Sequence, residues 1–127
     1  MRKLSGPALI VIGVLHTIVG VILGYGPLTE IARDGFFNAV EPYDSRMAVF
    51  WFLFAGLVSI LLGQLVLWAE RHLNRPVPGF IGWQLLVLSI AVTVFIPISG
   101  AWLLMVLSIS MIAAARRAAA PPVNATL

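Results

Sequence analysis

The chain of 127 residues contains no cysteine, which excludes disulfide bonds, thiolate metal ligands and thiol redox chemistry. Charge is also scarce, because only 10% of the residues are charged whereas 61% are hydrophobic. A chain with so few polar residues cannot cover the surface of a water-soluble globule. We therefore expect residues 1–127 to form a single transmembrane domain whose surface contacts the lipid bilayer.

Long stretches without charge predict four membrane-spanning helices. A bilayer core of about 30 Å is crossed by about 20 helical residues. Residues 4–29 and 47–69 each lack charged side chains and provide one span, and the 40 uncharged residues at 76–115 provide two. The turn-forming sequence PISG at 97–100 separates the last two helices. The helices are predicted at about 7–26, 47–69, 80–96 and 101–119.

The segments between and after these helices are polar. The predicted external loop at 27–46 is acidic overall and contains a short surface helix that stops at Gly35. The two prolines after Ala120 stop the last helix, so residues 120–127 are predicted to be a disordered tail.

The distribution of basic residues predicts the orientation. Six basic residues lie at one end of the predicted bundle and two at the other, so the positive-inside rule puts both termini in the cytoplasm. The predicted fold is all-α: an integral membrane four-helix up-down bundle with both termini inside. Although the net charge is +3, the basic residues are dispersed at helix ends, which argues against a nucleic-acid partner.

The first two predicted helices each carry a face of small residues at four-residue spacing. The first face contains His16, Gly20 and Gly24, and the second contains Ala55, Ser59 and Gly63. Because small residues allow membrane helices to approach closely, Gly20, Gly24 and Gly63 are predicted helix-packing positions. If only one face is used within the monomer, the other supports a homodimer.

His16 is the main functional candidate, because it is the only titratable side chain near the middle of a predicted span. At about 1.5 Å per residue, Ser59 and Ser89 lie at nearly the same depth. In a purely structural interpretation, a neutral His16 ring bonds one of these hydroxyls or a backbone carbonyl and holds the bundle together. In a functional interpretation, His16 binds a ligand or handles a proton.

Gln64 and Gln84 are predicted to lie near the cytoplasmic boundary. They either clasp the second and third helices through an amide pair or form a polar mouth that leads towards His16. The second histidine, His72, lies in the cytoplasmic turn, far from His16 and without a carboxylate close to either ring, so neither a metal nor a haem cofactor is predicted.

Several motifs along the chain resemble one known family. They are GVLHTIVG at 13–20, RDGFFNAV at 33–40, FWF at 50–52 with Gly56, GW at 82–83 with Leu85, and PISGAW at 97–102. With these motifs the chain resembles the small four-helix bacterial membrane proteins grouped as domain of unknown function 6463. The resemblance implies a bacterial inner-membrane protein of uncharacterised activity and supplies no catalytic residues.

These observations favour a non-enzymatic protein for binding, assembly or envelope support, with a lipid or small hydrophobic molecule as a candidate ligand. One alternative is a small transporter with His16 in its pathway. The chain resembles small multidrug exporters in having four helices, but it has no carboxylate in the first helix, where those exporters place an essential Glu. The other alternative is an intramembrane enzyme or binding protein that acts on a lipid or isoprenoid.

Overall fold

The computed structural model describes residues 4–121, and five α-helices occupy most of this range. The prediction of an all-α fold is confirmed, with no strand among the described residues. The helices are α1 (Ser5–Leu23), α2 (Tyr25–Arg33), α3 (Asp44–Leu73), α4 (Gly79–Phe95) and α5 (Ala101–Ala119).

The helix bounds differ from the predicted ones mainly on either side of the acidic loop and at the end of α3. Instead of one helix at 7–26, the chain forms α1 and then, after Gly24, the short helix α2. Helix α3 begins before 47 and continues past 69 to Leu73, because charged residues at both ends continue its first and last turns. Residues 122–127 of the tail that was predicted to be disordered lie outside the described residues.

Helices α1 and α3 pack against each other in opposite directions along their whole length. Near one end, a Cβ atom built on Gly6 would lie 2.6 Å from the Cα atom of Leu67. Near the other end, a Cβ on Gly24 would lie 2.6 Å from a methyl group of Val49. Contacts this short leave no room for a side chain, so glycine sets the distance between the helices. The buried glycines of this interface are Gly6, Gly13, Gly20, Gly24, Gly56 and Gly63.

This interface uses both predicted small-residue faces at once. Gly20, Gly24 and Gly63 all lie in it, at the helix-packing positions proposed from sequence. On α3, however, the predicted face is displaced by one residue. Ala55 is exposed, and its neighbour Gly56 is buried against α1. Glycines of both faces are thus used within the monomer, so neither face is spare for a homodimer, and self-association stays a prediction.

Helices α4 and α5 form a second antiparallel pair, joined by the turn at 96–100. The single close approach is at Gly82, where a Cβ would lie 2.8 Å from Cγ1 of Ile112. The indole nitrogen of Trp102 donates a hydrogen bond to the carbonyl of Pro97 across the turn, at 3.1 Å. Two serine side chains, Ser89 and Ser108, are fully buried in this pair.

A small apolar core joins the two pairs at the end of the molecule where α1 begins and α5 ends. It contains Leu9, Val66, Val77, Leu85, Leu107 and Met111. The pairs touch through α1 and α5. Towards the other end, the large apolar side chains of all four long helices are mostly exposed.

Three of the helices, α1, α3 and α5, are long and apolar enough to cross a membrane, by length and composition. Helix α4 is also apolar but has 17 residues. At about 1.5 Å per residue, it extends about 25 Å, slightly less than a typical hydrocarbon core.

Candidate functional site

His16 lies in the middle of α1 and contacts α3. Its Nε2 atom lies 3.1 Å from the backbone oxygen of Phe52, and its ring stacks on the Phe52 ring with centroids 3.9 Å apart and planes inclined by 12°. A carbonyl oxygen can only accept a hydrogen bond, so Nε2 is the donor. In a neutral ring, the second nitrogen, Nδ1, is then a free hydrogen-bond acceptor.

Glycine contacts between α1 and α3 hold the His16 ring in this position. A Cβ on Gly56 would overlap with Oγ1 of Thr17 and lie 3.2 Å from Cδ2 of His16. One turn along α1, a Cβ on Gly20 would lie 2.8 Å from the Phe52 ring. Larger residues at 20 or 56 would therefore separate the helices and break the contact between His16 and the Phe52 carbonyl.

Gly13 and Gly56 were not among the predicted packing positions, although the sequence contains a signal for them. Glycines occur at 6, 13 and 20 and again at 56 and 63, which is seven-residue spacing. A seven-residue repeat keeps one seam facing a partner helix over several turns, whereas a strict four-residue repeat drifts around the helix. The four-residue pattern therefore selected Ala55 in place of Gly56.

Of the two structural partners predicted for His16, a serine hydroxyl or a backbone carbonyl, the structure shows the carbonyl. Each hydroxyl donates to a carbonyl of its own helix: Ser59 to Ala55 at 2.8 Å and Ser89 to Leu86 at 2.9 Å. A carbonyl three or four residues earlier in the same helix is always within reach of a serine hydroxyl. Equal depth in the membrane therefore does not make a serine a partner for His16.

Gln64 and Gln84 also remain apart. Both glutamines are exposed. Within residues 4–121, no Cα atom of α3 lies within 8 Å of a Cα atom of α4. The predicted amide clasp is therefore absent from the part of the chain that the structure describes. Because α4 packs on α5 and not on α3, these glutamines face different surroundings.

His72 is separate from His16 and makes only local contacts. Its Nδ1 atom donates to the carbonyl of Trp68 in the same helix at 2.9 Å, and the two rings are 4.7 Å apart. Between residues 4 and 121, no three His, Asp or Glu side chains are grouped closely enough to hold a metal ion.

A buried arginine organises the acidic loop, which the sequence analysis did not anticipate. Arg46, only 7% exposed, donates from Nη1 to Oδ2 of Asp34 at 2.6 Å and to the carbonyl of Ala39 at 2.7 Å. Its Nε donates to Oε2 of Glu30 at 3.3 Å, and its guanidinium lies 4.2 Å from the centre of the Tyr43 ring. Arg46 thus ties α2 and the loop to the start of α3.

Glu70, in the last turn of α3, is a second buried charged residue. It is 1% exposed, and its Oε2 atom accepts a hydrogen bond from the backbone N–H of Gly6 at 3.5 Å. A carboxylate is favourable beside the first turn of a helix, where backbone N–H groups lack helical partners. Glu70 therefore joins the end of α3 to the beginning of α1.

An apolar groove of about 160 Å³ lies between α1 and α3, at the end near α2. It is open to the surface and is lined by Gly20, Leu23, Gly24, Ala48, Val49 and Phe52. The groove begins one helical turn from His16, and Phe52 belongs to both features.

Comparison with protein families gives a match over nearly the whole chain, since the model of the family of unknown function DUF6463 matches residues 1–118. The chain belongs to this family. Curated proteins and solved structures include no significant match to it.

In this DUF6463 chain, the candidate polar residues do not form one constellation. Ser59 and Ser89 bond within their own helices, and the two glutamines are exposed on separate helices. One feature with unused binding capacity is the His16 ring, which lies against Phe52 at the edge of the apolar groove. Chemically, this arrangement offers one hydrogen-bond acceptor and an apolar surface.

Proposed function

We propose that this DUF6463 protein is a bacterial inner-membrane protein with a non-enzymatic role in binding, assembly or envelope support. The observation that carries the proposal is the set of hydrogen-bond partners of the polar side chains within the apolar helices. His16 joins two helices through a backbone carbonyl, and the buried serines bond to carbonyls of their own helices. Catalysis needs several reactive groups that converge on one substrate atom, and these side chains do not converge.

The proposed membrane topology has four spans, formed by α1, α3, α4 and α5, with both termini in the cytoplasm. Support comes from the apolar character of all four helices and from their exposed large hydrophobic side chains. Arg71, Arg75, Arg116 and Arg117 lie at the end of the molecule that carries the apolar core, whereas α2 and the acidic loop lie at the opposite end. The positive-inside rule assigns the first end to the cytoplasm.

Impermeant maleimide labelling on intact cells tests this topology, and the lack of native cysteine gives no background. We expect Asn38→Cys to be labelled, because it lies in the external loop. Ala120→Cys should be labelled only after the cells are opened. Strong labelling of Ala120→Cys together with a silent Asn38→Cys would overturn the orientation.

Isolation of the protein in native lipid particles tests the non-enzymatic role. We expect a lipid or another small hydrophobic molecule to co-purify in a fixed ratio and to stay chemically unchanged during incubation. Mass spectrometry of the extract before and after incubation measures both points. Conversion of the bound molecule by the wild-type protein, and not by His16→Leu, would contradict a purely binding role.

A further inference from the structure

We propose that two copies of this protein associate in the membrane, with α3 of each copy packed on α4 of the other. In this dimer, Gln64 of one copy bonds the partner's Gln84, and Gln84 bonds the partner's Gln64. The proposal rests on the four-span topology proposed above. Three observations carry it: the order of the helices, the two amides without a hydrogen bond, and the equal depth of these amides.

The four long helices form an open row and not a closed bundle. Within residues 4–121, Cα atoms of different long helices approach within 8 Å only between α3 and α1, between α1 and α5, and between α5 and α4. The row therefore runs α3–α1–α5–α4. In a closed bundle of four helices, α3 and α4 would also be neighbours. A second copy supplies the missing neighbour at both ends of the row, because a twofold axis repeats the contact between α3 and the partner's α4.

Each end helix carries a glutamine on the side that faces away from its own core. Gln64 lies two residues before Val66, which is buried in the apolar core. Gln84 lies two residues after Gly82, which packs against Ile112 of α5. Two residues correspond to a rotation of about 200° around a helix, so each amide is on the opposite side of its helix. Accordingly, both glutamines are exposed.

The two amides differ from the hydroxyls of the apolar helices in having no hydrogen bond. The hydroxyls each donate to a carbonyl of their own helix, namely those of Ser59, Ser89, Thr93, Ser108 and Ser110. In the part of the chain that the structure describes, Gln64 and Gln84 make no such bond. A side-chain amide has two N–H donors and one carbonyl acceptor. In hydrocarbon no water satisfies these groups, so a polar side chain on another helix does.

The two amides lie at the same depth, which a twofold axis along the membrane normal requires. Such an axis exchanges the two copies without changing the depth of any atom. Gln64 is next to Gly63, whose Cβ would lie 2.7 Å from the backbone nitrogen of Ile10, five residues into α1. Gln84 lies five residues into α4. Both helices begin at the end that carries the apolar core, so each amide lies about 7 Å from that end. Two amides at one level can donate to each other reciprocally.

The test is disulfide cross-linking in native membranes, since the chain has no cysteine of its own. A chain that carries both Gln64→Cys and Gln84→Cys should form covalent dimers when it is oxidised with copper phenanthroline. A disulfide needs Cα atoms within about 7 Å. Between residues 4 and 121, no Cα atom of α3 lies within 8 Å of α4, so this bond must join two copies. Each single variant should stay monomeric on a denaturing gel, because the symmetry puts the two positions 64 apart.

The two single variants, co-expressed with different tags, should form a cross-linked heterodimer. Gln64→Cys co-expressed with Phe95→Cys is the matched control. Phe95 is also exposed on α4, but it lies about 16 Å further along the helix than Gln84, so no bond should form. The closed twofold arrangement predicts dimers alone for the double variant. A ladder of trimers and longer products would contradict it.

Gln64→Leu and Gln84→Leu test the hydrogen bonds themselves. Single-molecule photobleaching in liposomes of decreasing protein-to-lipid ratio measures the fraction of dimer. Each substitution removes both amide pairs, so we expect the dissociation constant to rise about tenfold, which corresponds to about 1.4 kcal/mol. Both positions are exposed, so the fold of the monomer should not change. Ser110→Ala, on the exposed side of α5, should associate like the wild type.

A wild-type protein that stays monomeric at every protein-to-lipid ratio would overturn the proposal. Cross-links within the single variants, without any between positions 64 and 84, would also overturn it. Unchanged association of both leucine variants would refute the role of the amides. If maleimide labelling confirms the topology and no cross-link forms, this interface is wrong while the membrane function stands. Failure of the chain to insert would refute the four-span topology itself.

Discussion

The two helix pairs of this protein solve the same packing problem in different ways. Between α1 and α3, glycines at nearly every second turn bring the backbones together, and a Cβ at Gly13 would lie 2.8 Å from the backbone nitrogen of Ile60. Between α4 and α5 there is one close glycine, and fully buried serines fill the interface. In lipid, apolar side chains gain little by leaving lipid for a helix partner, so close contact and local hydrogen bonds must hold the helices together.

The difference teaches where the protein tolerates change. A pair that depends on backbone proximity cannot absorb an extra methyl group, because neither backbone can move without separating the helices at several other glycines. A pair that depends on side chains can adjust rotamers. We therefore expect mutations of α1 and α3 to be more damaging than equivalent mutations of α4 and α5.

The largest effect is expected for Gly13→Ala. Its new Cβ would press on the backbone nitrogen of Ile60 and, at 2.9 Å, on the carbonyl oxygen of Gly56, so the cost should reach about 3 kcal/mol, the upper end of overpacking effects. Gly82→Ala should cost less, about 1 kcal/mol, because the backbone atoms that its Cβ would meet, the nitrogen of Ile112 and the oxygen of Ser108, both lie 3.1 Å away. Thermal unfolding in detergent, followed by tryptophan fluorescence, measures both.

Gly26→Ala is the matched control, because no atom lies within 4 Å of the Cβ position and surface changes of this kind stay within about 0.5 kcal/mol. If Gly82→Ala were as damaging as Gly13→Ala, the proposed difference between the two pairs would be refuted.

The second prediction concerns the contacts of Arg46, at the start of α3, with α2 and the loop. Arg46→Ala would leave the carboxylate of Asp34 without its closest partner and would empty a buried site at the start of α3. We expect a lower melting temperature and faster proteolysis within residues 34–43, because the Ala39 carbonyl loses its buried hydrogen-bond donor and the loop loses the side chain that ties it to α3.

Arg46→Lys serves as the control for charge alone. A lysine ammonium cannot reproduce the forked contacts to Asp34, Ala39 and Glu30, so it should restore only part of the stability. Full restoration by lysine would mean that the charge alone, and not the shape of the guanidinium group, holds α2 in place.

The sequence predicted the apolar helices well because charge-free stretches report directly on the cost of charge in lipid. The turn-forming residues at 97–100 likewise coincide with the break between α4 and α5. Whether His16 bonds a serine or a carbonyl, and of which residue, could not be decided from the sequence. The choice depends on the register of α1 against α3, and that register is set by glycine contacts such as Gly56 with Thr17.

The burial of the charged residues Arg46 and Glu70 also could not be predicted from the sequence. In the sequence, nothing distinguishes Glu70 and Arg46 from charged residues of a solvated loop. Only their neighbours in the folded chain show that they are buried. Glu70 is buried because the first turn of α1 ends beside it, and Arg46 because α2 folds back over α3. The distribution of charged residues predicts where the apolar helices end. It does not predict which of the charged residues at those ends are buried.

A smaller effect is expected for His16→Leu, which removes one hydrogen bond between α1 and α3 but leaves the glycine contacts intact. Hydrogen bonds between membrane helices contribute at most about 1–2 kcal/mol, so the variant should insert and unfold nearly as the wild type does. If His16 has a functional role, the bound molecule or the cellular phenotype is lost nevertheless. Retention of both would leave the ring with a structural role only.

The smallest effect is expected for Ser89→Ala in α4. The hydroxyl is fully buried, yet it donates only to the carbonyl of Leu86 in its own helix at 2.9 Å, so its removal orphans no group on α5. The loss of this hydrogen bond should cost about 0.5 kcal/mol or less, because alanine is a better helix former than serine and offsets part of the cost. Unfolding in detergent, with Ser110→Ala as the exposed control, measures this. A loss of stability as large as that of Gly13→Ala would mean that Ser89 bonds across the interface, and that the two helix pairs depend on the same kind of contact after all.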